Sequence, residues 1–138
     1  VFKTVLVALD CSEMSEQIIA RLDDLNLPSQ TKIIFSHVLP APFVDSDLVA
    51  DRPHQSHEAL YQQIEKQLQS YQMQRPGSEL EIVSGDTSEE IIRLANIYQA
   101  DLIIIGTRDL KGVKRVIEGS VSSQVVVDAP CSVLVVKA

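Results

Sequence analysis

Between Gly106 and Ser120 the chain reads GTRDLKGVKRVIEGS, with glycines at 106, 112 and 119, bases at 108, 111, 114 and 115, and a hydroxyl at 120. Residues of these types can hold an anion. Glycines let backbone amides approach a ligand closely, and the unpaired amides and dipole at the start of a helix favour negative charge. The Ser120 hydroxyl can donate to a phosphate oxygen or cap its own helix. Arg108, Lys111, Lys114 and Arg115 place four of the twelve Lys and Arg residues within eight positions. Against these stands Asp109, an acid where a phosphate would lie. A solvated basic loop whose glycines serve turns would show the same pattern, because spaced glycines alone are common.

A second candidate is Asp10, in ALDCSE, where an apolar run gives way to a helical pattern. Its carboxylate can accept hydrogen bonds from ribose hydroxyls, or it can cap the helix alongside Ser12. Taken alone, capping is the commoner role. The nearness of a phosphate-type loop on a neighbouring strand is what raises the first.

The elements that must position these groups are five runs rich in branched aliphatics: residues 4–9 (TVLVAL), 31–38 (TKIIFSHV), 79–84 (ELEIVS), 101–106 (DLIIIG) and 132–137 (SVLVVK). The first and fourth are apolar without alternation, as strands covered on both faces of a parallel sheet must be, so they belong at the centre. ELEIVS alternates polar with apolar and belongs near an edge. Met14, Ile18, Leu22 and Leu25 fall on one helical face, as do Leu60, Ile64, Leu68 and Tyr71, and then Ile91, Leu94 or Ala95, and Tyr98. Helix starts are signalled at Ser12 and at Thr87 with Glu90 in capping-box spacing, with Asp86 as the alternative cap; a last helix is expected to open near Ser120 and end before Pro130. Residues 39–56, with three prolines and no period, read as a long crossover loop. Such alternation predicts an open α/β sheet with right-handed crossovers, in which ligands bind beyond the carboxyl ends of the strands where strand order reverses.

The totals suit this. A chain of 138 residues with 45% apolar content is expected to form one domain over 1–138. No apolar run approaches the roughly 20 residues that span a bilayer, and the opening VFKTVLVALD lacks a signal-peptide layout, so a cytoplasmic protein without a membrane partner is expected. A net charge of −7 argues against coating nucleic acid. Cys11 and Cys131 make no paired framework. His54 and His57, with Asp51 and Glu58, could suggest metal ligands, but they sit in or beside the aperiodic segment without a Cys partner, and no metal site is expected there. No Ser-His-Asp or Cys-His set can be assembled, so no catalytic residue is assigned, and His37 reads as a hydrogen-bonded strand residue.

From end to end the chain resembles the universal stress protein family. The resemblance rests on VLVALDCSEMSEQ for a strand, Asp-Gly-Ser and helix, on His37-Val38 ending the second strand, on SGDTSEEII before the third helix, and on the closing DAPCSVLVVKA. It implies a Rossmann-like (HUP-like) fold: an open, doubly wound, five-stranded parallel sheet of order 3-2-1-4-5, commonly a homodimer through the last strand. It also implies an adenine nucleotide as ligand. The family's phosphate motif of Gly, two residues, Gly, nine residues, Gly and Ser or Thr falls on Gly106, Asp109, Gly119 and Ser120, with Asp109 the departure. Contacts to adenine and ribose would fall on Ala8, Asp10, Val38 and Ile105, and Val121 would follow the Ser on the phosphate side; Arg108 lies between the motif's first two positions. Cys11 stands where the family usually has glycine.

The cost of Asp109 can be bounded. Two unit charges about 4 Å apart repel by roughly 4 kcal/mol at an effective dielectric near 20, enough to abolish micromolar binding if nothing offsets it. Turning to solvent, pairing with Arg108 or Lys111, or sharing a Mg²⁺ with the phosphates would each relieve it. AMP or ADP would suffer less than ATP. Two functions are therefore expected to compete: a dimeric, non-catalytic sensor of ATP or another adenine nucleotide in the stress response, and a dimeric interaction module that has lost nucleotide binding and acts through an unknown protein partner.

Overall fold

The computed structural model describes residues 2–40, 55–107 and 114–137, and of these the side chains of all but 40, 55–57 and 114–120. Strands and helices alternate without exception along the described chain: β1 (Thr4–Ala8), α1 (Met14–Asp24), β2 (Lys32–Pro40), α2 (Gln55–Gln74), β3 (Glu79–Gly85), α3 (Thr87–Tyr98), β4 (Leu102–Gly106), α4 (Lys114–Asp128) and β5 (Ser132–Val136). The strands form one sheet of order β3-β2-β1-β4-β5, with each neighbouring pair parallel. The expected fold class and strand order are therefore those observed.

Why the sheet is central follows from the period-2 geometry of its strands. Val5, Val7 and Leu9 join Ile33, Phe35, Leu102 and Ile104 on one face, where Met14, Ile18 and Leu22 of α1 and Ile64, Leu68 and Tyr71 of α2 cover them. Leu6, Ala8, Ile34, Ile103 and Ile105 point the other way, under Ile91, Leu94 and Ala95 of α3 and Val125 of α4. The non-alternating runs at 4–9 and 101–106 are thus central strands buried on both faces. β3, the run that alternates, is an edge strand. Leu60, expected in the α2 stripe, is 38% exposed because the buried contact begins a turn later at Ile64.

Three expectations at element ends are corrected. The cap of α3 is Asp86, whose side chain accepts from Glu89 N at 3.1 Å, rather than the Thr87 capping box; Thr87 is the first helical residue. Residues 39 and 40 extend β2, with Leu39 paired to Ser84 and Pro40 to Gly85, and residues 55 and 56 open α2, so the remainder of the expected crossover loop, 41–54, lies outside the described residues. The last helix opens at Lys114, not near Ser120, which puts Gly119 and Ser120 inside α4. A glycine within a helix costs about 1 kcal/mol relative to alanine, too little to stop a helix that good formers such as Lys114, Arg115 and Glu118 begin.

Candidate functional site

At the carboxyl end of β1 the backbone turns sharply. Asp10 Oδ1 accepts from Ser12 N at 3.0 Å and from Ser12 Oγ at 2.6 Å, and Ser12 Oγ in turn accepts from Met14 N at 3.2 Å. The turn runs through Cys11 at φ 61°, a left-handed conformation that glycine would enter without a Cβ penalty. Burial, and then the charge of Asp10, push the Cys11 thiol up to about 11, so it is protonated at neutral pH.

β2 ends beside this turn. Ser36 Oγ donates to the Val7 carbonyl at 3.0 Å, and His37 Nδ1 lies 2.8 Å from the Leu9 carbonyl. A carbonyl can only accept, so Nδ1 carries the proton and the ring is fixed in one tautomer. His37 is therefore the hydrogen-bonded strand residue expected. Its pKa is lowered from 6.5, chiefly by burial; the Leu9 bond and the charge of Asp10 act in the opposite direction.

On the other side of β1, β4 ends in Ile105 and Gly106. A Cβ built on Gly106 would lie 2.8 Å from Met14 Cγ and 3.0 Å from Ile18 Cδ1, so the bare glycine is what lets α1 pack against this strand end. In the order 3-2-1-4-5, chain direction across the sheet reverses between β1 and β4. That is the crevice in which open α/β sheets take ligands.

A cavity of about 340 Å³ occupies it, lined by Ala8, Leu9 and Asp10 from β1, by Ser36, His37 and Val38 from β2, and by Ile105 and Gly106 from β4. Met14 and Ile18 of α1, Thr87 and Ile91 of α3, and Val121 of α4 complete the described wall. The size falls in the range of small-molecule sites, and the design is the usual one, apolar walls with a few polar groups. Of the residues singled out in the sequence, Ala8, Asp10, Val38, Ile105, Gly106 and Val121 meet here. Gly119 and Ser120 lie in α4 with their side chains undescribed, and Arg108 and Asp109 lie outside the described residues, as do Lys111 and Gly112.

Sequence reasoning missed part of the wall. Met14, Ile18 and Ile91 carry a helical-period signal that marks them as facing the sheet, and only the structure shows that they also reach its open end. Thr87 reads as a cap. Leu9 and Ser36 gave no separate signal, although each stands within two residues of one that did. Among the described residues no group of three or more His, Cys, Asp and Glu side chains is placed to hold a metal ion; His54 is not described, nor is the side chain of His57. Nor, among them, is any helix long and apolar enough to cross a membrane.

Residues 2–137 match the pattern of the family described as "Universal stress protein family". The chain belongs to that family. A similar curated relative is universal stress protein Sll1388 of Synechocystis, 25% identical over 148 residues, with 96% of each chain covered. Among solved structures, universal stress protein UspA of Lactobacillus plantarum superposes with a TM-score of 0.74 at 22% identity, covering 97% of both chains. A universal stress protein family protein of Arabidopsis thaliana, At3g01520, solved with AMP bound, gives a TM-score of 0.68 at 21% identity, covering 98% of this chain and 91% of that one. These two likenesses bear on the fold.

Proposed function

We propose that this universal stress protein is a single-domain, cytoplasmic adenine-nucleotide-binding module that acts in the stress response as a homodimeric sensor or regulator. The observation that carries the reading is the cavity at the β1/β4 reversal, which joins Ala8, Asp10, Val38, Ile105, Gly106 and Val121 in one wall. Its apolar sides suit a purine, and the Asp10 carboxylate suits ribose hydroxyls. The Arabidopsis protein with AMP bound shares the fold and supports the same ligand class here. In this reading Ala8, Val38 and Ile105 pack the base and sugar. Gly106, Arg108 and the Ser120 hydroxyl serve the phosphates, Gly119 adds no side chain to crowd them, Val121 closes the wall on the phosphate side, and Asp109 opposes the end of a long phosphate tail unless Mg²⁺ lies between. The dimer forms through β5, an edge strand. No residue is assigned a catalytic role, and the protein signals by occupancy to a protein partner rather than by turnover.

Gly119 and Ser120 lie beyond the first turn of α4, so their amides are not the unpaired ones at its start. The proposed ligand is accordingly short, AMP or ADP ahead of ATP. Isothermal titration with AMP, ADP and ATP, each with and without Mg²⁺, tests the reading; saturable heat with affinity falling as phosphates are added is expected, and no heat at millimolar ligand overturns it. Asp109 in a glycine position favours a second reading, an interaction module of the same fold without a nucleotide. Under that reading the wild type gives no heat and Asp109→Gly creates ATP binding. Under the first, Asp109→Gly strengthens existing ATP binding at least tenfold and leaves AMP nearly unchanged.

A further inference from the structure

His37 is 8% exposed, lines the cavity and spends only one of its ring nitrogens inside the protein. Nδ1 is committed to the Leu9 carbonyl. Nε2 has no hydrogen-bond partner among the described residues, and it is not one of the sealed orphan atoms, which include Ser15 Oγ and Ser78 Oγ. It is therefore a polar atom open to the cavity. A ligand that enters the cavity displaces solvent from this atom and must offer it a partner. Because the carbonyl fixes the proton on Nδ1, Nε2 presents a lone pair and asks for a donor, not an acceptor.

Its neighbours narrow what that donor is. The described charge acting on the ring is Asp10, also a hydrogen-bond acceptor at the same cavity, while β3 sets apolar Ile82 opposite His37 in the sheet. Ser36 Oγ, the nearest hydroxyl along β2, already donates to Val7. The imidazole lone pair and the carboxylate are thus two acceptors on the wall of one cavity. A cis-diol offers two O–H donors on adjacent carbons, whereas a deoxyribose has lost one of them.

We propose that His37 is a sugar-reading residue: Nε2 accepts one hydroxyl of a ribose cis-diol whose other hydroxyl is held at Asp10, selecting ribonucleosides over deoxyribonucleosides. This rests on the nucleotide reading above and adds a determinant to it. Val38 and Ile105 contact the ligand through apolar surface and carry no such discrimination.

Titration of the whole chain with adenosine, 2′-deoxyadenosine and 3′-deoxyadenosine tests the proposal without phosphate charge in play. The wild type is expected to bind adenosine about tenfold more tightly than either deoxy compound, the size of one hydrogen bond of roughly 1.4 kcal/mol. His37→Asn keeps an amide donor for the Leu9 carbonyl and removes Nε2. It should bind adenosine as weakly as one of the two deoxy isomers, leave affinity for that isomer unchanged, and still discriminate against the other. Equal affinity of the wild type for all three overturns the sugar reading while leaving adenine binding intact. Discrimination against both isomers undiminished in a folded His37→Asn variant overturns the role of His37. Absence of binding by adenosine and AMP alike removes the nucleotide reading itself. The wild-type comparison stands even if the variant fails to fold.

Discussion

Gly106 shows how one residue can serve packing and chemistry together. Its role in the phosphate motif belongs to the family likeness, but its lack of a side chain is already required by α1, since a Cβ would meet Met14 Cγ at 2.8 Å. Gly106→Ala is expected to lower stability by about 1–3 kcal/mol through overpacking. In a Met14→Ala background the same change should cost much less, and chemical denaturation of the double-mutant cycle measures the coupling. Equal costs in both backgrounds would show that the close approach is not limiting. The sequence exposed Gly106 through its place at a strand end and Cys11 through its departure from a family glycine, but neither the Met14 contact nor the φ of 61° can be read from residue types. Cavity walls are equally hidden: Ile91 looks the same in periodicity whether it ends under the sheet or at its mouth.

At the scale of elements, composition located the strands and helices and misplaced their ends. Branched aliphatic runs marked the strands, without alternation at β1 and β4 because a parallel strand buried on two faces has few other choices, and with alternation at the edge strand β3. Helix starts depend on which short polar side chain wins the first-turn amides, and at α3 two candidates stood side by side. Asp86 holds Glu89 N and accepts from Ser88 Oγ at 3.0 Å, so Asp86→Ala should cost about 1 kcal/mol in urea denaturation. Thr87→Ala should be neutral or slightly stabilising, since Thr87 is already helical and alanine is the better helix former. The reverse ranking would restore the Thr87 cap. The same difficulty moved the start of α4, where a Gly-Ser pair resembles a helix opening yet lies within the helix. The place of the candidate site is therefore legible from strand ends, whereas Ala8, Val38 and Ile105 come from the family likeness, and the phosphate half depends on a boundary that local signals do not settle.

Taken whole, the molecule is a sheet whose two faces are closed by helix pairs and whose β1, β2 and β4 ends open into one cavity. Strand order could not come from periodicity; it came from the family likeness, and the sheet has that order. One consequence reaches global stability. Burial lowers the folded pKa of His37 below the 6.5 of the unfolded chain, so beneath about pH 7 the unfolded state binds more protons. Stability should then be greatest above pH 6.5 and decline as the pH falls through 6.5 toward the folded value. In His37→Asn that decline should be shallower across the same window, as thermal unfolding at stepped pH would reveal; an unchanged slope would mean that His37 is not neutral because it is folded. At this scale the account stands on ligand entering at the strand ends. Its most direct measurement is a two-dimensional amide NMR titration of the protein with AMP. Saturable shifts centred on Ala8, Asp10, Val38, Ile105 and Val121 are the predicted result, whereas shifts confined to α2 and β3, or none at millimolar AMP, would contradict it.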